Sequence, residues 1–158
     1  AVAAGKVRAL GISNFDANDE VFNRIMEAAT IKPAVLQMEC HPYAQRLAVR
    51  EKAKTHNIQV ECWFPLGGAM SNGALLKDPI MEIAKAHGKT AAQVILRWHI
   101  QEGFSVIPGA SNPDYIKENI DIFDFTLTDD EMAEMRGLNK ERRFFNMSLS
   151  DVERMVGL

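Results

Sequence analysis

The chain has 158 residues, of which 47% are hydrophobic and 25% are charged, and its formal net charge is -3. These proportions are typical of one globular domain with a buried core. Acidic and basic residues are interspersed without a basic stripe, so no nucleic-acid partner is expected, and no apolar run approaches the roughly 20 residues of a membrane span.

The first residues are typical of a chain that continues upstream. Residues 1–4 favour a helix, and Gly5 followed by an apolar run is typical of a helix end. The N-terminus has no initiator Met and lacks the charged and apolar regions of a secretion signal. We therefore expect this sequence to be a piece of a longer protein.

Two strand–helix units are predicted first. Residues 7–12 form a short apolar run typical of a buried strand, and Ser13-Asn14 supplies turn and cap chemistry. The next apolar residues fall at helical spacing: Phe22, Ile25, Met26 and Ala29. Residues 34–38 predict a second strand, and residues 45–56 a helix. The inner face of that helix is predicted to carry Leu47, Ala48 and Ala53.

The third unit contains two helices. Residues 58–63 predict a strand, and a Gly-rich loop extends to Gly73. Residues 79–87 predict a short helix. Thr90 and Gln93 then have the spacing of a capping box, which predicts the start of another helix.

The fourth unit and the tail complete the chain. Residues 104–107 predict a strand, and Asn112-Pro113 is typical of a helix start. That helix is predicted to reach about Ile122. A second capping box at residues 128–131 opens a helix to about Met135, and residues 148–155 form an amphipathic stretch.

Four strand–helix units in succession predict a parallel sheet covered by helices. Eight units in this length would have only about 20 residues each, whereas a full eight-unit barrel takes roughly 250 residues. Two architectures stay open: a small open α/β sheet, or half of a (β/α)8 TIM barrel. Both place function beyond the carboxyl ends of the strands.

The predicted strand ends offer amides, hydroxyls and one indole. They are residues 13–14, 39–43, 63–67 and 108–111. They contain no carboxylate pair suited to acid–base catalysis, no nucleophile elbow and no zinc-spaced cluster. The sequence therefore predicts a binding surface rather than a reacting one, and no metal site.

Cysteine and histidine are expected to be structural. Cys40 and Cys62 lie in apolar surroundings without metal-ligand spacing, which predicts buried free thiols in the reducing cytoplasm. Three histidines fall on predicted helices or helix ends and are expected at the surface: His56, His87 and His99.

Four stretches, in order, resemble the aldo-keto reductase family. They are GKVRALGISNF at residues 5–15, QMECHPY at 37–43, WFPLG at 63–67, and VIPG followed by IKEN at 106–119. They resemble the fifth to eighth barrel strands of the family, and the match weakens after about Asn139. The resemblance implies the C-terminal half of a TIM barrel, with units five to eight in residues 1–127 and a C-terminal helix and tail in 128–158.

The resemblance implies an oxidoreductase that uses NADPH or NADH to reduce aldehydes or ketones. Ser13, Asn14 and Gln37 would bind the nicotinamide carboxamide, because these groups supply paired donors and acceptors. Trp63, where family members usually have Tyr, would stack on the nicotinamide ring. The alternatives are an ordinary helix cap for Ser13-Asn14, a structural partner for Gln37 and a core position for Trp63.

The same resemblance also implies which residues would bind the pyrophosphate and the adenine of the cofactor. The Leu66-Gly67 turn would contact the pyrophosphate through backbone amides. Glu118 and Asn119 would bind the adenine, with a solvated helix face as the alternative. His41 would belong to a structural Glu-x-His-Pro turn rather than donate a proton.

Two departures from the family pattern stand out. Members that prefer NADPH commonly carry Lys-Ser and then Arg after the eighth strand, where this sequence has Gly109-Ala110 and Tyr115. A weakened clamp on the 2'-phosphate follows, with NADH usable. The catalytic Tyr, Lys, Asp and His of the family belong to the first four units. Tyr43 and Tyr115 stand in no matching motif, so this chain is expected to contribute no catalytic residue.

The implied partners are a small carbonyl substrate and the missing N-terminal half of the barrel. A non-catalytic half barrel or cofactor-sensing binding module is the alternative function. An unrelated small α/β domain with coincidental matches is the third possibility.

Overall fold

Four parallel strands form one sheet in the computed structural model, which describes residues 1–15, 19–146 and 154. The strands are β1 Gly11–Ser13, β2 Val35–Glu39, β3 Gln59–Trp63 and β4 Ser105–Ile107. They lie side by side in the order β1-β2-β3-β4, and each neighbouring pair is parallel.

This sequential order decides between the two predicted architectures. A doubly wound open sheet reverses its strand order partway, so its first strand lies inside the sheet. A (β/α)8 barrel instead places each new strand beside the preceding one. The observed order is an arc of a barrel, which confirms the prediction of four consecutive barrel units.

Helices follow each strand. Their bounds are α1 Asp19–Ala28, α2 Leu47–Thr55, α3 Ile80–His87, α4 Ala91–Gln101, α5 Pro113–Ile120 and α6 Asp129–Gly137, with a 3-10 turn at Ala69–Ser71.

Local hydrogen bonds explain why three of these helices begin where they do. The Thr90 hydroxyl accepts from the Gln93 N–H, and the Gln93 side chain accepts from the Thr90 N–H. The same reciprocal pair forms between Thr128 and Glu131. Asn112 accepts from the Asp114 N–H at 2.9 Å. All three predicted helix starts are confirmed, because each cap satisfies an amide that has no partner within its helix.

Two predictions near the N-terminus were wrong in detail. The first strand begins at Gly11 rather than residue 7, and Val7 and Leu10 are exposed. Residues 2–5 form a turn, closed by a bond from the Gly5 N–H to the Val2 carbonyl, instead of a helix.

The inner face of α2 also differs from the prediction. Arg46 has a left-handed backbone with φ 56°, which delays the helix start to Leu47. Val49 and Ala53, four residues apart, share the face that packs on the sheet, whereas Leu47 and Ala48 are exposed. The predicted amphipathic stretch at residues 148–155 lies outside the described residues, apart from Arg154.

The two faces of the sheet have different chemistry. Alternate side chains pack against the helices and are buried, among them Leu36, Met38, Cys40, Val60 and Cys62. The opposite face, called here the open face, carries Gln37, Glu61, Trp63 and Ser105, all partly exposed. In a closed barrel the side opposite the helices is the interior.

Within the described residues, the chain contains no helix both long and apolar enough to cross a bilayer.

We expect the chain to self-associate when it is expressed alone. Among the described strands, β1 and β4 each pair with one neighbour only, and the apolar side chains of Leu10 and Ile107 at these edges are exposed. Unpaired strand edges and uncovered apolar surface favour association. Size-exclusion chromatography with light scattering should give a mass above the 17.6 kDa of one chain. A monomer that unfolds cooperatively would contradict this expectation.

Candidate functional site

The ends of β1 and β2 are joined through Asn14. Its N–H donates to the Gln37 carbonyl at 2.9 Å, and its φ of 62° lies in the left-handed region that Asn tolerates better than most residues. Ser13, the last residue of β1, is the register partner of Gln37. These three predicted site residues therefore lie together at one rim of the sheet.

Trp63 joins the same group from β3. Its indole N–H donates to Asn14 Oδ1 at 2.9 Å, so the ring reaches across the end of β2. Phe64 and Phe145 contact the indole ring edge-on, each with centroids 5.3 Å away. The ring is thus fixed by one hydrogen bond and two aromatic neighbours.

A polar row crosses the open face and includes two residues of this rim. Ser13, Gln37, Glu61 and Ser105 are successive register partners from β1 to β4. Gln37 Nε2 donates to Glu61 Oε1 at 2.8 Å, and the Ser105 hydroxyl donates to Glu61 Oε2 at 3.1 Å. Sequence reasoning missed Glu61 and Ser105. One signal was available in the sequence: Glu61 lies two residues before Trp63 in a strand, so both side chains point to the same face.

A second group of predicted residues lines a cleft of about 510 Å³. It lies between the loops that follow β3 and β4 and the nearby ends of α3, α4 and α5. Leu66, Glu118 and Asn119 line it, and so do the substituted positions Gly109, Ala110 and Tyr115. The residues that the resemblance connects with the pyrophosphate, the 2'-phosphate and the adenine therefore line one cleft.

Two lysines in this cleft were not predicted. Lys85 donates to Glu82 at 2.6 Å, and Lys89 donates to Asp121 at 2.9 Å and Asp124 at 2.8 Å. Hydrogen bonds to these carboxylates raise the pKa of both lysines. The cleft therefore carries positive charge that is already paired with acidic side chains.

The Gly67 amide does not fit its predicted role. Its N–H donates to the Phe64 carbonyl at 2.9 Å, so it is not available to a phosphate. Gly67 instead has φ +72°, and a Cβ there would lie 2.5 Å from Ser71 Cβ. A tight turn explains this glycine better than direct phosphate binding.

Glu39, at the end of β2, is the most heavily bonded carboxylate near the rim. It accepts from His41 at 3.2 Å, from Arg143 at 3.0 Å and from the N–H groups of Phe144 and Phe145. Burial raises the pKa of Glu39, but these hydrogen bonds outweigh it and lower the pKa to about 2. Glu39 thus holds residues 143–145 against the strand ends.

His41 is fully buried, and its ring also packs on Phe144 at 4.7 Å. This environment is consistent with the structural role predicted for it.

The predicted free thiols are confirmed, whereas the prediction for His99 was wrong. Cys40 and Cys62 are buried and unbridged. His99 is fully buried, and its ring nitrogens lie 2.8 Å from the Ile95 carbonyl and 3.1 Å from the Cys40 carbonyl. The ligand atoms of the two cysteines and His99 lie within 4.8 Å of one another. Sequence spacing could not reveal this group, because the residue after β2, a residue of β3 and a residue of α4 come together only in the fold.

The comparisons with known proteins agree on one family. Residues 1–140 match the model of the Aldo/keto reductase family. The 9,11-endoperoxide prostaglandin H2 reductase of Trypanosoma cruzi is 41% identical over 138 residues, which cover 87% of this chain and 48% of that protein. Morphine 6-dehydrogenase of Pseudomonas putida is 41% identical over 145 residues, with coverages of 85% and 48%.

Solved structures give the same result. MGS-M4, an aldo-keto reductase from a deep-sea metagenome library, superposes with a TM-score of 0.84 at 34% identity, over 93% of this chain and 55% of its own. A mutant of Gox0644 in complex with NADPH gives 0.81 at 40% identity, over 95% and 53%. The chain spans about half the length of the relatives it matches.

Glu39→Gln should destabilise the fold in a pH-dependent way. The pKa falls from an ordinary 4.5 to about 2 in the folded state, so ionised Glu39 stabilises the fold above about pH 5. This contribution is lost as the pH falls from 4.5 towards 2. We expect the variant to lose about 3 kcal/mol of unfolding free energy at pH 7 and about half as much at pH 3.

Urea denaturation at both pH values measures the difference. Glu134→Gln, on the exposed side of α6, is the matched control. An equal loss for Glu39→Gln at pH 7 and pH 3 would mean that its charge does not stabilise the fold.

Proposed function

The chain belongs to the aldo/keto reductase family, and on that basis we propose that it supplies the cofactor-binding half of an NAD(P)H-dependent reductase of aldehydes and ketones. The observation that carries this proposal is the convergence of Asn14, Gln37 and Trp63 at one rim. Residues distant in sequence there form a polar and aromatic surface, as a nicotinamide ring with a carboxamide requires.

The rim suits a primary carboxamide. Such a ligand has one carbonyl acceptor and one amino donor, so it needs both kinds of partner in fixed places. Ser13, Asn14 and Gln37 supply a hydroxyl and two amides on two adjacent strands. When bound, the cofactor supplies the hydride, and these residues hold and orient its ring.

Trp63 is proposed to support one face of that ring. Its orientation is fixed before any ligand binds, through the bond to Asn14 and the contact with Phe145. A preorganised aromatic face loses little entropy on binding. We propose that Phe145 also forms an apolar wall for the small carbonyl substrate.

The cleft is proposed to take the pyrophosphate at Leu66 and the adenine at Glu118 and Asn119. Its volume of about 510 Å³ lies within the range of small-molecule sites. Tyr115 lines the same cleft and offers a ring rather than a guanidinium.

We propose that NADH is usable beside NADPH. Gly109, Ala110 and Tyr115 carry no positive charge, and Lys85 and Lys89 are already paired with carboxylates. These residues therefore offer the 2'-phosphate fewer charge-assisted hydrogen bonds than Lys-Ser and Arg would.

The proposed organisation assigns residues 1–127 to barrel units five to eight and residues 128–158 to the C-terminal helix and tail. The partner is the N-terminal half of a barrel, which would cover the open face and bring the proton-donating groups. We assign the protein to the cytoplasm, where the buried thiols Cys40 and Cys62 stay reduced.

Cofactor binding tests the proposed function directly. Titration of NADPH and NADH into the gene product that carries this chain should show saturable binding. Trp63→Ala should weaken it about tenfold, since aromatic stacking contributes about 0.5–1.5 kcal/mol in addition to the apolar area it buries. Phe123→Ala, at a ring that is 62% exposed, is the control. Absence of binding would refute the proposal. Binding without carbonyl reduction would favour the cofactor-sensing module.

Cofactor preference provides a second prediction. The two dissociation constants should lie within roughly a hundredfold of each other. Gly109→Lys should improve NADPH binding about tenfold relative to NADH, through a charge-assisted bond to the phosphate. A Cβ at Gly109 meets no atom within 4 Å, so the change fits the fold.

Gly137→Lys adds the same charge in α6, where a Cβ also has room, and should leave the ratio unchanged. A several-thousandfold NADPH preference in the unaltered protein would refute the weakened clamp.

A further inference from the structure

An amide side chain has two different ends, and its neighbours decide which end faces a ligand. The carbonyl oxygen accepts hydrogen bonds, whereas the amino group donates them. Gln37 Nε2 lies 2.8 Å from Glu61 Oε1. A carboxylate only accepts, so Glu61 selects the amino end of Gln37 as its partner.

Glu61 is itself held in place. Its second oxygen accepts from the Ser105 hydroxyl at 3.1 Å, so strands on both sides fix the carboxylate. Turning the Gln37 amide by 180° would place its carbonyl oxygen against Glu61 Oε1, which loses the hydrogen bond and brings two acceptors together. The amide of Gln37 therefore has one favoured orientation, which leaves Oε1 for a ligand.

Asn14 has the opposite orientation, for the opposite reason. The Trp63 indole only donates, and it lies 2.9 Å from Asn14 Oδ1. This bond leaves the Asn14 amino group for a ligand. The rim thus offers a donor from the end of β1 and an acceptor from β2, matching the carbonyl and amino groups of one carboxamide.

We propose that Glu61 is a positioning residue, which orients the Gln37 amide so that its Oε1 accepts a hydrogen bond from the amino group of a primary carboxamide. The proposal rests on the proposed function, because NADPH and NADH carry that carboxamide. It adds a residue in β3 that recognises no ligand directly and sets the polarity of the site.

A cofactor analogue isolates this hydrogen bond. In reduced 3-acetylpyridine adenine dinucleotide a methyl ketone replaces the carboxamide, so the carbonyl acceptor is kept and the amino donor is lost. We expect the gene product that carries this chain to bind reduced NAD about tenfold more tightly than the analogue, as one well-placed hydrogen bond provides. Isothermal titration measures both dissociation constants.

Glu61→Gln should reduce this ratio to about threefold or less, because a neighbouring amide can accept or donate and no longer selects one orientation of Gln37. Gln37→Met removes the acceptor itself and should reduce the ratio as far. The double variant should reduce it no further, since both substitutions act on one bond. Glu134→Gln, exposed on α6, should keep the ratio of the unaltered protein.

The outcomes separate the two proposals. If the unaltered protein binds neither dinucleotide, the proposed function is wrong. If it binds both and Glu61→Gln keeps the tenfold ratio, the positioning role is wrong while cofactor binding stands. A lower ratio in Glu61→Gln but not in Gln37→Met also overturns it. If circular dichroism shows that Glu61→Gln loses its structure, Ser105→Ala replaces it, because it removes the hydrogen bond that holds the second oxygen of Glu61. The ratio should then fall in Ser105→Ala, and an unchanged tenfold ratio there would overturn the positioning role.

Discussion

The parallel register of β1 to β4 is the constraint on which the rest of the structure depends. It aligns Ser13, Gln37 and Glu61 in one row and brings the carboxyl ends of the strands to one rim. A slip by one residue would turn these side chains towards the helices and expose Leu36 and Met38. The apolar layer that fixes the register therefore also fixes the polar layer, and the two faces of each strand cannot be changed independently.

A second constraint connects this rim to a distant part of the chain. Glu39 is fully buried, and a buried carboxylate is costly unless hydrogen bonds replace its water. The replacements come from His41, Arg143 and the N–H groups of residues 144 and 145. The hydrogen bonds that compensate the buried charge of Glu39 thus also place the Phe145 ring against Trp63. The position of Phe145, the proposed apolar wall of the substrate site, therefore depends on the buried carboxylate of Glu39.

The sequence predicted what is local and periodic. Strand positions were correct within a few residues, and the capping boxes at Thr90 and Thr128 were confirmed because their signal lies within four residues. Register and packing across the sheet were not predictable in the same way. The role of Glu61 is visible only from its hydrogen bond to Gln37 on the neighbouring strand. His99 is buried because its side of α4 packs against Cys40. Leu47 was misplaced because the face of α2 that packs on the sheet is the one shared by Val49 and Ala53, which sequence spacing alone did not select.

The polar row on the open face connects the proposed carboxamide site with the packing of the sheet. Barrel interiors are usually filled by branched apolar side chains, so polar groups there need partners. Glu61 accepts from both Gln37 and Ser105, so removing Glu61 leaves two donors without this partner, whereas removing either donor leaves Glu61 short of one hydrogen bond. Glu61 is therefore the residue on which the polar row depends. The bond that satisfies Glu61 is also the one that favours a single orientation of the Gln37 amide, so the packing of this face and the proposed donor and acceptor pattern of the rim depend on the same carboxylate.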